Sequence, residues 1–247
     1  MSNNQKTKLQ YNKISSNYSK VAESDPSKLF AQYYTVLHLL KPVVGKFILD
    51  IGCGQGIFSR LLAQNGARVV GYDISKTQII EAKRQEKNNP LGIRYLVSTP
   101  RLFKHDEKFD AAVSIMVLPY ALDKKDLSIF FKSTFEMLKN NGRFISVVFN
   151  PNFKRFNQIF YNRRWTKNKR GRIQVEFYIH NNRLITKAEY GYSFTKADYE
   201  YCAKESGFKK WEWNSLKIDK KGIKETGLEF WKDFTKDCPY VVFIVEK

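Results

Sequence analysis

Apolar residues in this chain recur in two rhythms, every three or four positions in some stretches and in short unbroken runs in others. The first stretch carries two helical stripes: Tyr11, Ile14, Tyr18 and Val21, then Leu29, Phe30, Tyr33, Tyr34, Leu37 and Leu40. They predict two helices, broken at Asp25-Pro26 and stopped before Pro42. Ile48 to Ile51 is a strand run; Phe58, Leu61 and Leu62 open a helix that closes at Asn65-Gly66; Val69 to Tyr72 is the second strand. Ser75-Lys76-Thr77-Gln78 reads as a capping box starting a helix that Asn89-Pro90 ends. Ile93 to Val97 and Phe109 to Met116 follow as strands three and four. Leu127, Phe130, Phe131, Phe135 and Leu138 form a core stripe on a helix begun by Asp123 and Asp126, and Asn140-Asn141-Gly142 leads into a fifth strand, Arg143 to Phe149. Farther on, Val175 to His180 and Arg183 to Tyr192 form a hairpin across Asn181-Asn182. Thr195 caps a helix bearing Tyr199, Cys202 and Ala203 that closes at Ser206-Gly207. A sixth strand spans Phe208 to Leu216, a helix Ile223 to Thr235, and a seventh strand Tyr240 to Val245.

Strands alternating with helices imply an α/β sheet, and the turn after its first strand is chemically informative. Gly52, Gly54 and Gly56 let the main chain approach a ligand, and the next helix offers unpaired N–H groups at its positive end. Asp73 ends the second strand, where a carboxylate can accept from two ribose hydroxyls. This is a nucleotide-binding βαβ unit. A dinucleotide fingerprint needs a third glycine at position 57, which is Ile57, and no lysine follows in the triphosphate-cradling manner.

With 247 residues, 43% of them hydrophobic, the chain suffices for one α/β domain with an added subdomain. We divide it into an N-terminal helical lid (1–43), a cofactor-binding core (44–150), a basic insertion and hairpin (151–193) and the C-terminal part of the sheet (194–247). No apolar run approaches a membrane span, and the polar start is unlike a signal peptide. Cys53, Cys202 and Cys238 have no metal spacing and cannot all pair, so a reducing cytoplasm is expected and no metal site. The net charge of +19 points to polyanions, although the lysines are scattered among many asparagines, as compositional bias would scatter them.

The run Ile48-Leu49-Asp50-Ile51-Gly52-Cys53-Gly54-Gln55-Gly56 resembles the "LDIGCGxG" turn of class I S-adenosylmethionine-dependent methyltransferases. Tyr11 to Tyr18 resembles the family's "YDxxAxxYD" helix with Asn12 and Ser19 in place of its acids. Phe109 to Ser114 resembles "FDxVxS", and Asn141 to Ser146 part of "LKPGGRFIxS". The second half is most similar to the toxoflavin synthase-like branch, whose members methylate planar heterocycles. The resemblance implies a Rossmann-like seven-stranded sheet with helices on both faces, an N-terminal helical lid and an insertion after strand 5. It implies S-adenosyl-L-methionine as cofactor and S-adenosyl-L-homocysteine as product. The cofactor residues would be Asp50, Gly52, Cys53, Gly54, Gln55, Asp73, Ile74, Ser75 and Gln78, then Ser98, Thr99, Met116 and Val117, with Tyr11, Tyr18 and Tyr33 closing over them. Ser98-Thr99 stands where the family commonly has an acid at the adenine amino group. Tyr34, Tyr120, Phe149 and His180 are the residues expected near substrate.

Val117-Leu118-Pro119-Tyr120 is similar to the "NPPY" segment of enzymes that methylate bases, without the leading Asn and first proline that bind the target amine. Residues 150–174 interleave arginines and lysines with Phe153, Phe156, Phe160, Tyr161 and Trp165, a pattern that suits a lid, an anionic substrate or a nucleic-acid backbone. Methyl transfer from a sulfonium needs orientation first and a base only if a proton must leave early. Of the histidines, His38 lies in a helical stripe, His105 in a polar loop, and His180 is the candidate base. The favoured function is methylation of an N or O atom of a small molecule by a monomer or homodimer. An RNA- or protein-modifying enzyme docking through residues 153–172, and a non-catalytic S-adenosylmethionine-binding module, are the alternatives.

Overall fold

A computed structural model describes residues 25–169, 171–179 and 183–247. The opening helix with Tyr11 and Tyr18, and His180 with the Asn181-Asn182 turn, lie outside the described residues. A π-helical segment, Ser27–Tyr33, runs into α1, Tyr34–Leu40. Then follow β1 (Phe47–Ile51), α2 (Ile57–Gln64), β2 (Arg68–Asp73), α3 (Lys76–Asn88), β3 (Arg94–Val97) and β4 (Phe109–Ile115). After a 3₁₀ turn at Leu118–Tyr120 come α4 (Lys124–Met137) and β5 (Leu138–Phe149).

These strands and two later ones, β10 (Lys210–Asn214) and β11 (Tyr240–Glu246), make a seven-stranded sheet ordered β10-β11-β5-β4-β1-β2-β3. Only β11 runs against its neighbours. β1 is buried along its whole length and sits mid-sheet, because a strand covered by helices on both faces must be apolar on both. Its side chains alternate between two cores. Ile48 joins Leu62, Val69 and Val113 on one face, while Leu49 and Ile51 join Val70, Leu127 and Phe131 on the other.

Residues 151–193 build a second, antiparallel sheet of β6 (Ile159–Phe160), β7 (Arg163–Lys167), β8 (Arg172–Ile179) and β9 (Arg183–Tyr192). Trp165, Ile173, Val175 and Phe177 are buried in the first of the two cores. The expected hairpin is thus half of a larger sheet, since the basic stretch before it also pairs. Three other boundaries differ from the sequence pattern. Leu138, read as the last residue of a helical stripe, is the first residue of β5. The expected strand 208–216 is confined to Lys210–Asn214. The helix expected over 223–235 is two, α6 (Lys220–Thr226) and α7 (Leu228–Lys236), parted at Gly227, whose φ of 83° no helix accommodates. Between β9 and β10, α5 spans Lys196–Glu205 behind a complete Thr195–Asp198 capping box. Among the described residues, no helix is long and apolar enough to cross a membrane.

Candidate functional site

The carboxyl ends of β1, β2, β3 and β4 open onto one cavity. This is where a doubly wound sheet leaves room for a ligand, because the helices diverge there to opposite faces. The glycine turn forms its floor. Gly52, Gly54 and Gly56 have φ of 66°, 55° and 83°, the left-handed region that side chains disfavour. Space also demands glycine at two of them: a Cβ on Gly52 would strike the Val117 side chain, and one on Gly56 would strike the Tyr95 hydroxyl.

Two carboxylates face each other across this turn. Asp73 is held by the main chain: the Gly54 N–H donates to its Oδ2 at 3.0 Å and the Ser75 N–H to its Oδ1 at 2.8 Å. Burial pushes its pKa up against those N–H groups. Asp50, on β1, accepts from the Ser59 hydroxyl at 2.5 Å. Burial pushes its pKa up to about 7; Asp73 adds to the rise, while the Ser59 hydrogen bond and the Lys28 charge oppose it. Burial also keeps the Cys53 thiol protonated, with its pKa well above the ordinary value. Cys53 packs tightly over Gly71, where an added Cβ would come within 2.9 Å of its Sγ.

The walls come from further elements. The π-helical segment contributes Lys28 and Tyr33; Lys28 Nζ stands 5.8 Å from the Tyr33 ring centroid, and Tyr33 lies 5.1 Å from Phe58. π-Turns shift one side of a helix relative to its neighbours and recur at functional sites. Ile74 and Gln78 line the cavity beyond β2, Ser98 and Pro100 beyond β3, and Ile115, Met116, Val117 and Tyr120 beyond β4. Met116 holds a left-handed φ of 60°, fixed by its N–H donating to the Val147 carbonyl at 2.9 Å. Such strain concentrates at functional sites. Asp126 and Phe130, one helical turn apart on α4, complete the wall.

Of the residues singled out from sequence, the cavity gathers Tyr33, Asp50, Gly52, Cys53, Gly54, Gln55, Asp73, Ile74, Gln78, Ser98, Met116, Val117 and Tyr120. Four others stand elsewhere. Ser75 is buried as the N-cap of α3, its hydroxyl accepting from the Gln78 N–H. Thr99 turns the chain, its carbonyl accepting from the Leu102 and Phe103 N–H groups. Tyr34 stacks on His38, and Phe149 is walled in by Phe153, Phe156 and Trp165. His105 belongs to an aromatic stack with Phe47 and Phe109, and exposed His38 is likewise outside the cavity wall.

Lys28, Asp126 and Phe130 were missed as site residues: Phe130 looked like core and Asp126 like a helix start, and nothing local marks Lys28. The basic segment carries less free charge than its sequence suggests. Arg163 is ion-paired with Asp25, Arg164 and Lys187 with Glu176, and Arg155 with Asp233 and Asp237. Its aromatics pack inward on one another: Trp165 is 5.2 Å from Phe153, and Phe160 is 4.5 Å from Tyr161. No group of three or more His, Cys, Asp or Glu side chains suited to a metal occurs among the described residues.

Residues 49–146 match the family model described as a methyltransferase domain. A ubiquinone biosynthesis O-methyltransferase of Pelagibacter ubique is 35% identical over 116 residues, which cover 47% of this chain and 47% of that protein. One from Coxiella burnetii is 28% identical over 169 residues, 63% of this chain and 71% of that protein. The chain thus spans about half the length of the first of these relatives. An S-adenosylmethionine-dependent methyltransferase from Clostridium acetobutylicum superposes with a TM-score of 0.66 at 17% identity, covering 96% of this chain and 98% of that one. Magnesium protoporphyrin IX methyltransferase from Synechocystis, solved with bound SAM, superposes with a TM-score of 0.64 at 15% identity over 100% of this chain and 98% of that one.

Proposed function

We propose that the chain is a class I methyltransferase that binds S-adenosylmethionine in this cavity and methylates a small molecule. The observation that carries the reading is the Asp73 carboxylate set against the Gly54 N–H, between Gly52 and Gly56, which have no room for a Cβ. Asp73 would accept from the ribose hydroxyls, and the glycine turn would take the main-chain side of the sugar and sulfur. Lys28 and Asp50 offer opposite charges to the carboxylate and ammonium of the amino-acid end. Bound there, the cofactor supplies a methyl group already activated on a sulfonium. The chain has to orient an acceptor, exclude water and leave the nucleophile unhindered.

An oxygen acceptor is favoured by the relatives named as O-methyltransferases, and a flat one by Tyr33, Phe58 and Tyr120 in the wall. Docking of RNA through the basic segment gains no support, because the aromatics that would stack on bases are packed into the fold.

Calorimetry with S-adenosylhomocysteine tests the reading. Wild-type protein should bind it, and Asp73→Ala should weaken it about tenfold to a hundredfold, as loss of charge-assisted hydrogen bonds does. Equal affinity in both proteins would remove Asp73 from the ribose.

A further inference from the structure

The two acids at the glycine turn are supplied differently. Asp73 is met by the N–H groups of Gly54, Ile74 and Ser75, fixed main-chain donors that favour its charged form. Asp50 lines the same cavity at 3% exposure, and its donors come from Ser59 alone, the hydroxyl at 2.5 Å and the N–H beside it. Among the described residues no cation stands within ion-pair distance of Asp50; Lys28, on the cavity wall, acts on it only through space. The other titratable neighbours are the Cys53 thiol of the turn and the Tyr95 hydroxyl of β3, which burial keeps neutral by pushing both pKa values up. A buried acid with a like charge nearby and no paired cation is lowest in free energy with its proton on. Its pKa of about 7, raised by burial first and then by Asp73, agrees with that state.

What changes that state is a cation carried into the cavity by a ligand. Resting on the cofactor reading above, we propose that Asp50 exchanges its proton for the α-ammonium of the bound thioether or sulfonium, so that cofactor binding releases a proton and is weakened by acid. The exchange balances without a covalent step. The carboxyl proton passes to buffer, while the ammonium keeps its three protons and donates a charge-assisted hydrogen bond to the carboxylate left behind. The binding-competent protein is then the fraction with Asp50 ionised, and the apparent dissociation constant is the intrinsic one divided by that fraction. Affinity therefore falls as pH drops below the pKa of Asp50 and is level above it. Ser59 is a positioning residue in this scheme, because its hydroxyl favours the ionised form and sets the pH at which the exchange begins to cost affinity.

Calorimetry on the full chain, in buffers of different ionisation enthalpy, counts the protons directly. Two ligands are compared: S-adenosylhomocysteine and its desamino analogue, in which the α-ammonium is replaced by hydrogen. For the first, wild-type protein should release close to one proton at pH 6 and about a tenth of one at pH 8, with affinity rising about tenfold between them. The analogue leaves the Asp50 proton in place, so it should lack this release and this rise; the difference between the ligands cancels any titration at Asp73. Asp50→Asn should bring the two ligands to the same pH dependence. Ser59→Ala should move the midpoint of the wild-type affinity curve to higher pH, whereas a merely structural role would weaken binding at every pH and leave the midpoint in place. The ligand comparison needs only wild-type protein, so it stands whether or not the variants fold. Equal proton release for the two thioethers overturns the exchange, as does an Asp50→Asn protein that keeps the difference between them. Either outcome with tight wild-type binding of S-adenosylhomocysteine leaves the cofactor reading standing; a wild-type protein that binds neither thioether overturns both.

Discussion

At the scale of single residues, Asp50 carries the clearest measurable consequence. Its pKa is about 7 in the folded chain against an ordinary 3.8. Between those values the folded chain keeps a proton that the unfolded chain releases, so stability falls as pH rises from about 4 to about 7 and is level above. Asp50→Asn removes the titration while retaining an acceptor for Ser59. Denaturant unfolding of this variant should show a flatter pH profile and, at pH 8, a gain on the order of 2 to 4 kcal/mol. A variant with the wild-type slope would mean that other groups set the pH dependence. The place of Asp73 was legible from sequence because it is local: a strand ends and the side chain turns back on the glycine loop. Lys28 and Asp126 were not, because only the fold brings the first helices and α4 to the ends of β1 and β3. Phe130 misled for a related reason. Helical spacing tells which side chains face inward, not whether they meet core or cavity.

Among the elements, the junction of β1 and α2 is the most constrained. Gly56 precedes α2 with no side-chain cap, and its missing Cβ makes room for Tyr95 from β3, whose hydroxyl donates to the Gly56 carbonyl at 3.4 Å. Gly56→Ala combines backbone strain with that clash and should cost about 1–3 kcal/mol in urea unfolding. In a Tyr95→Phe background the same substitution should cost less, by about 0.5 kcal/mol or more, because the colliding oxygen is gone. Equal costs in both backgrounds would clear the hydroxyl and leave the ring carbons of residue 95, which a Cβ would also approach within 3 Å, together with backbone strain as the cause. The alternation of apolar runs sufficed to find the core strands, since each is covered on both faces. It did not find β6 and β7. β6 is only two residues long, and in β7 Arg163 and Arg164 hide a strand pattern by pairing with Asp25 and Glu176.

Over the whole molecule, the buried Arg163–Asp25 pair matters most. Both residues are less than 10% exposed, and Asp25 also accepts from the Ser27 hydroxyl at 2.8 Å. Removing one partner, as in Arg163→Ala, strands the other charge and should cost about 3–5 kcal/mol. The double replacement Asp25→Leu with Arg163→Met should cost distinctly less, which denaturant titration of the three proteins would reveal. If the single and double variants were equally destabilised, packing rather than charge would account for the loss. The net charge of +19 looked like a signature of polyanion binding, yet Arg155, Arg163 and Arg164 of the basic segment are each paired with acids of the same chain.

That pair also links parts of the chain with different tasks. Asp25 begins the segment that delivers Lys28 and Tyr33 to the cradle, and Arg163 ties its start to the antiparallel sheet. Divergence within residues 151–193 can therefore retune the mouth of the cradle from a distance, while the glycine turn beneath keeps its shape. Descendants of such a chain could change what they accept without relearning how to hold the donor.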